Sequence, residues 1–123
     1  MKDISFWLDQ PYNPRPPLTK NIETEILIVG GGITGVSVAY HCAKLGLKTV
    51  LIEKGSIASG SAGKNGGMIV EGLSCDFVEA AQVFGEPATV NMWNKTVEAK
   101  ALIKSIIKKH SIQCDLTEEG SLY

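Results

Sequence analysis

Gly30, Gly32 and Gly35 are spaced as G-x-G-x-x-G within "ILIVGGGITGVSVAYHCAKLGLKTVLIEK" (26–54), and an acid, Glu53, stands roughly 20 residues further on. The missing Cβ atoms have three uses. Gly30 makes a tight turn, Gly32 lets a pyrophosphate approach the main chain, and Gly35 lets a helix lie close to a strand. The first N–H groups of that helix, near Ile33 and Thr34, then face the phosphates with the favourable end of the helix dipole. Glu53 is placed to accept hydrogen bonds from the hydroxyls of an adenosine ribose. A carboxylate there repels a 2′-phosphate, and Lys54 softens that repulsion. The chemistry indicated is dinucleotide binding. The competing reading is that the glycines only pack a tight corner between strand and helix.

These residues need a frame, and the surrounding pattern supplies one. Glu25–Val29 reads as a short strand, buried on both faces and stopped by glycine. From about Ile33 to Leu45 the apolar residues Val36, Ala39, Tyr40 and Ala43 recur at steps of three and four. That is a helix, with Gly46 as its C′ residue. "KTVLIE" (48–53) is a second strand, so the stretch forms a βαβ unit with parallel strands. Upstream, Pro11, Pro14, Pro16 and Pro17 make residues 1–24 an extended lead-in, which Phe6, Trp7 and Tyr12 tack onto the body.

Downstream of the βαβ unit lies "GSIASGSAGKNGGMI" (55–69), too rich in glycine for an element interior and too long for a simple turn. Asp76–Phe84 reads as a short helix. A longer one starts near Glu86, with Pro87 in its first turn, and runs to about Lys109. Its residues Val90, Trp93, Val97, Leu102, Ile103, Ile106 and Ile107 form a core face, and Lys100, Lys104 and Lys108 lie on the wet side. "IQCDL" (112–116) reads as a strand, "TEEG" as a turn and "SLY" as the start of a returning strand. The expected class is α/β: a Rossmann-like βαβ unit with an incomplete sheet, then helices and the beginning of a further domain's strand. The expected divisions are 1–24, 25–72 and 73–123.

Composition narrows the function. The chain of 123 residues is 44% apolar and 20% charged, with a net charge of −1. Near-neutrality gives no electrostatic reason to bind nucleic acid or an anionic membrane. The basic residues of "IKSIIKKH" alternate with isoleucines, as on a solvated helix face. No apolar run is long enough to span a membrane, and the N-terminus lacks the continuous apolar stretch of a secretory signal. Cys42, Cys75 and Cys114 are odd in number and widely spaced, which points to reduced thiols in the cytoplasm. His41 and His110 have no partner at metal-ligand spacing, so no metal site is expected.

The fingerprint serves NAD and FAD alike, and the segment after Glu53 discriminates between them. A nicotinamide domain proceeds from the acid into further βα units, whereas here a small-residue loop succeeds the second strand. A glycine-rich backbone there can lie against an extended FAD and offer N–H groups without side-chain obstruction. The block 26–54 together with "GSAGKNGGMI" resembles the D-amino-acid-oxidase-like, or glycine/sarcosine-oxidase-like, family of FAD-dependent oxidoreductases. The lead-in "SFWLDQPYNPRPPL" is similar to that of amine-oxidising members such as the gamma-glutamylputrescine oxidases. Residues 84–123 look like their helix leading into the substrate domain.

That resemblance implies oxidation of a C–N bond in a small amine or amino acid by hydride transfer to FAD. It puts Gly30, Gly32 and Gly35 on the pyrophosphate and Glu53 on the ribose. Gly60, Ser61, Ala62, Lys64, Asn65, Gly66 and Gly67 then line the path to the flavin. Lys64 stands where relatives often have arginine, keeping the charge but losing the planar fork. The histidine through which some relatives tether the flavin is absent from this loop, which implies non-covalent FAD. Nothing in the chain is expected to act as catalytic acid or base: Asp76 and Glu79 read as surface charges, and His41 as a helix residue. A sheet of this class places its first strand between two others, so the missing neighbour leaves "EILIV" with an unpaired apolar edge. The chain therefore reads as the front of a longer protein. The alternative is a non-catalytic remnant, or one piece of a split flavoprotein whose sheet a second chain completes.

Overall fold

The computed structural model describes residues 3–120. These fall into two compact units, one up to Gly67 and one from Met68 onward. In the first unit β1 (Ile26–Val29), α1 (Ile33–Lys44) and β2 (Thr49–Ile52) succeed one another as a βαβ unit. The strands are parallel, with Ile26 opposite Thr49 and Val29 opposite Ile52. Their starts are tied together by Thr24 Oγ1, which donates to the Lys48 carbonyl at 2.6 Å, and by the Lys48 N–H, which donates to Glu25 Oε2 at 2.6 Å.

The end of α1 has the expected chemistry. Gly46 takes φ 74, where glycine incurs no Cβ penalty. The Leu47 N–H reaches back to the Cys42 carbonyl and the Gly46 N–H to Ala43, both at 3.1 Å. That pair of bonds is a Schellman motif, which turns the chain sharply into β2.

The expectation that β1 is buried on both faces is corrected. Ile28 is buried at 8% exposure, but Leu27 and Val29 on the opposite face are 57% and 77% exposed. Side chains alternate along a strand, so α1 covers one set and nothing in the described sheet covers the other. The described part of the lead-in, residues 3–24, holds one element, a short 3-10 turn at Phe6–Leu8, which the sequence pattern does not announce.

In the second unit α2 (Phe77–Phe84) packs against α3 (Glu86–His110) across the single connecting residue Gly85. Thr89 is fully buried at that corner and its hydroxyl donates to the Gly85 carbonyl at 3.0 Å. Phe77 meets Trp93 edge to face at 6.1 Å. Residues 71 and 72 run beside α3, where Lys100 pairs with Glu71 at 3.1 Å and Thr96 accepts from the Gly72 N–H at 3.0 Å. The apolar residues expected as core on α3 are only partly covered: Val90, Val97 and Leu102 are each 40% exposed or more.

A strand at 112–116 is not formed. Ser111 ends α3 in the left-handed conformation (φ 50, ψ 43), and the Ile112 N–H caps the Ile107 carbonyl at 3.0 Å. A strand requires a ladder partner, and none faces this segment among the described residues. The "SLY" segment lies outside the described residues. Among those described, no helix is long and apolar enough to cross a membrane.

Candidate functional site

The β1–α1 turn is built by glycines with three distinct duties. Gly30 has φ 103, a conformation that side chains rarely adopt, and its N–H donates to the Ile52 carbonyl at 2.8 Å. Gly35 is a close-packing residue: a Cβ there would overlap the Gly30 carbonyl oxygen and come within 3.4 Å of Ile28. Gly32 is different. It caps α1 with φ −78 and ψ −174, which any residue adopts, and a Cβ on it would meet nothing within 4 Å. Nothing among the described residues requires glycine at this position. What its hydrogen leaves free is space in front of the first turn of α1.

That helix end also has the electrostatics of an anion site. No side chain caps α1, and its first turn holds no acidic residue. The helix ladder leaves the N–H groups of Ile33 and Thr34 without intrahelical partners, and the macrodipole makes this end positive. The residues present therefore fit a pyrophosphate, and the room at Gly32 is where a close backbone approach would occur.

Glu53 stands just after β2 and faces the turn. Its Oε2 accepts from the Gly31 N–H at 2.7 Å and its Oε1 from the Gly55 N–H at 2.9 Å. These donors, first Gly31 and then Gly55, hold its carboxyl below the usual glutamate range, and the neighbouring charge of Lys54 acts in the same direction. Each carboxylate oxygen retains a further lone pair for a ribose hydroxyl.

Gly31 is the residue that the spacing rule passed over, being an "x" of the fingerprint. It is buried, its carbonyl accepts from the Ala58 N–H at 2.9 Å, and a Cβ would overlap Ile57. The run of three consecutive glycines was the available signal. Ala58 itself holds φ 63, a left-handed strain retained beside the site.

The loop carrying Gly60, Ser61, Ala62, Lys64, Asn65, Gly66 and Gly67 has a defined shape. A 3-10 turn spans Ser61–Gly63. Asn65 organises the second half of the loop: its Nδ2 donates to the Ala62 carbonyl at 2.7 Å and its Oδ1 accepts from the Gly67 N–H at 2.8 Å. Gly63 is buried against the Ala58 carbonyl and Leu8. Lys54 and Lys64 are exposed. The lead-in reaches this loop, since Ser5 Oγ donates to the Gly63 carbonyl at 2.6 Å and Trp7 Nε1 to the Asn65 carbonyl at 2.8 Å. Of the three aromatics expected to tack it down, Trp7 makes the contact. Phe6 packs edge-on to Trp7 at 5.1 Å, and Tyr12 is 52% exposed.

Comparison with known proteins identifies the family. The family model described as FAD dependent oxidoreductase (DAO) matches residues 25–123. The chain is 32% identical over 109 residues to gamma-glutamylputrescine oxidoreductase of Escherichia coli K12, covering 89% of this chain and 26% of that protein. It is 32% identical over 100 residues to the probable oxidoreductase OrdL of Haemophilus influenzae, covering 81% of this chain and 23% of that protein. Glycine oxidase of Bacillus licheniformis is 38% identical over 52 residues, covering 42% of this chain and 14% of that protein. The chain thus spans about a quarter of the length of the first two relatives. No solved structure matches it significantly.

Proposed function

Because this chain belongs to the FAD dependent oxidoreductase family, we propose that it forms the FAD-binding front of an enzyme that oxidises the C–N bond of an amine or amino acid. The observation that carries the proposal is the open space at Gly32, before the uncapped end of α1 and beside Glu53. In this reading the turn Gly30–Gly35, with the N–H groups of Ile33 and Thr34, holds the pyrophosphate. Glu53 holds the adenosine ribose, with Lys54 at its side. The loop Gly60–Gly67 offers its backbone along the path to the flavin.

When bound, FAD accepts the hydride of the substrate. The residues of this chain bind and orient it, and none of them is assigned as catalytic acid or base. Neither histidine nor cysteine occurs in 55–69, which favours FAD held without a covalent link through this loop. The names gamma-glutamylputrescine oxidoreductase and glycine oxidase support a small amine-bearing substrate. The free thiols of Cys42, Cys75 and Cys114 favour a cytoplasmic setting.

The test is flavin retention by the native polypeptide with and without Gly32→Val. The expected result is a yellow protein that loses its flavin absorbance on substitution. Full retention in the variant would remove the pyrophosphate from this turn.

A further inference from the structure

The lead-in lies upstream of the family match, which begins at residue 25, yet its hydrogen bonds to Gly63 and Asn65 each span 58 positions. Residues 5–8 fasten the loop 60–67 at three points. Ser5 Oγ and Trp7 Nε1 satisfy the carbonyls of Gly63 and Asn65, and Leu8 closes over Gly63. The last glycine of the loop is matched to the tryptophan itself. Gly67 has φ 72, and a Cβ on it would run into the Trp7 ring, with Cη2 only 2.8 Å away. The absence of that Cβ is what lets the indole lie against the backbone.

We propose that residues 5–8 are a built-in strap that sets the conformation of the flavin-side loop, with Trp7 as its positioning residue. The inference rests on the function proposed above and adds to it a task for a segment that contains no nucleotide fingerprint. The physical argument is one of preorganisation. A loop with four glycines between 60 and 67 loses much backbone entropy when a ligand orders it. Asn65 fixes the loop locally through Ala62 and Gly67, and Trp7 fixes Asn65 and Gly67 from outside. With the loop already shaped, an extended dinucleotide meets that cost only in part, so the strap raises affinity without touching the ligand. The glycine turn and Glu53 are held by Ile52, Ala58 and Gly55 instead. Trp7, which bears on Asn65 and Gly67, therefore acts on the flavin half of the ligand and not on the adenosine half.

This division gives the experiment. ADP carries the adenosine and pyrophosphate groups alone, whereas FAD also extends along the loop. Both are titrated against the native polypeptide stripped of flavin, in unmodified form and as Trp7→Ala, Trp7→Phe and Gly67→Ala. Trp7→Ala is expected to weaken FAD by about tenfold, the loss of one hydrogen bond and one aromatic contact, and to leave ADP unchanged. Trp7→Phe keeps a ring over Gly67 and should restore most of the affinity. Gly67→Ala disturbs the same contact from the loop side and should repeat the selective loss. An FAD-to-ADP affinity ratio that is the same in all four proteins overturns the strap while leaving the FAD site intact. An unmodified protein that binds neither ligand overturns both proposals.

Discussion

Gly31 and Glu53 are joined across the mouth of the βαβ unit, the glycine N–H donating to the carboxylate at 2.7 Å. The acid expected to serve a ribose thus also fixes the middle of the glycine turn, and through Gly55 it fixes the start of the next loop. Both ends of Gly31 are taken, since its carbonyl accepts from Ala58. A Glu53 substitution therefore disturbs the protein's own turn as well as the ligand contact proposed for it.

The first prediction concerns pH. Two backbone donors lower the carboxyl pKa of Glu53 in the folded chain. Its contribution to stability is complete above the ordinary glutamate pKa of about 4.3 and is lost as the pH falls through the lowered folded value. Denaturant unfolding of the unmodified protein and of Glu53→Gln should show a constant gap at neutral pH. Below about pH 4.3 that gap should narrow. A gap independent of pH would show that the carboxylate charge plays no part.

The glycines of the turn should separate by substitution. Gly35→Ala drives a methyl into the Gly30 carbonyl and is expected to cost about 1–3 kcal/mol of stability. At Gly32 the Cβ of a substituted side chain has open space, so Gly32→Val should cost no more than about 1 kcal/mol, yet it should abolish flavin retention. Thermal unfolding read beside flavin absorbance checks both. Equal stability losses would contradict the assignment of one glycine to packing and the other to the ligand.

In the second unit, two residues with positive φ should respond in opposite senses. Gly85 sits at φ 81 and ψ 149, a region open essentially to glycine, so Gly85→Ala should destabilise by about 1–3 kcal/mol although its Cβ has free space. Ser111 ends α3 at φ 50, and Ser111→Gly should stabilise by about 1 kcal/mol through relief of left-handed strain. Unfolding monitored through Trp93 measures both changes.

The exposed face of β1 predicts self-association of this chain on its own. Residues 1–123 expressed alone carry Leu27 and Val29 on an uncovered sheet face, next to a strand edge with no partner among the described residues. They should self-associate, and Val29→Lys should reduce this in sedimentation experiments. A monomeric chain with cooperative unfolding would show that the open face carries no such tendency.

The amino-acid sequence by itself determined the elements closed by neighbours along the chain. The apolar period and Gly46 marked α1, Pro87 marked the start of α3, and the glycine spacing marked the turn between β1 and α1. These features rest on bonds between residues a few positions apart, so local side-chain chemistry is enough to read them. Only the tertiary structure decided that Glu53 binds Gly31 and that Trp7 lies on Gly67. It also decided that 112–116 forms no strand and that Leu27 and Val29 stay bare. Each of those outcomes depends on which distant backbone arrives alongside. A buried N–H, a ring face or a strand edge is satisfied by any partner of the right geometry, and sequence spacing carries no record of which one comes within reach.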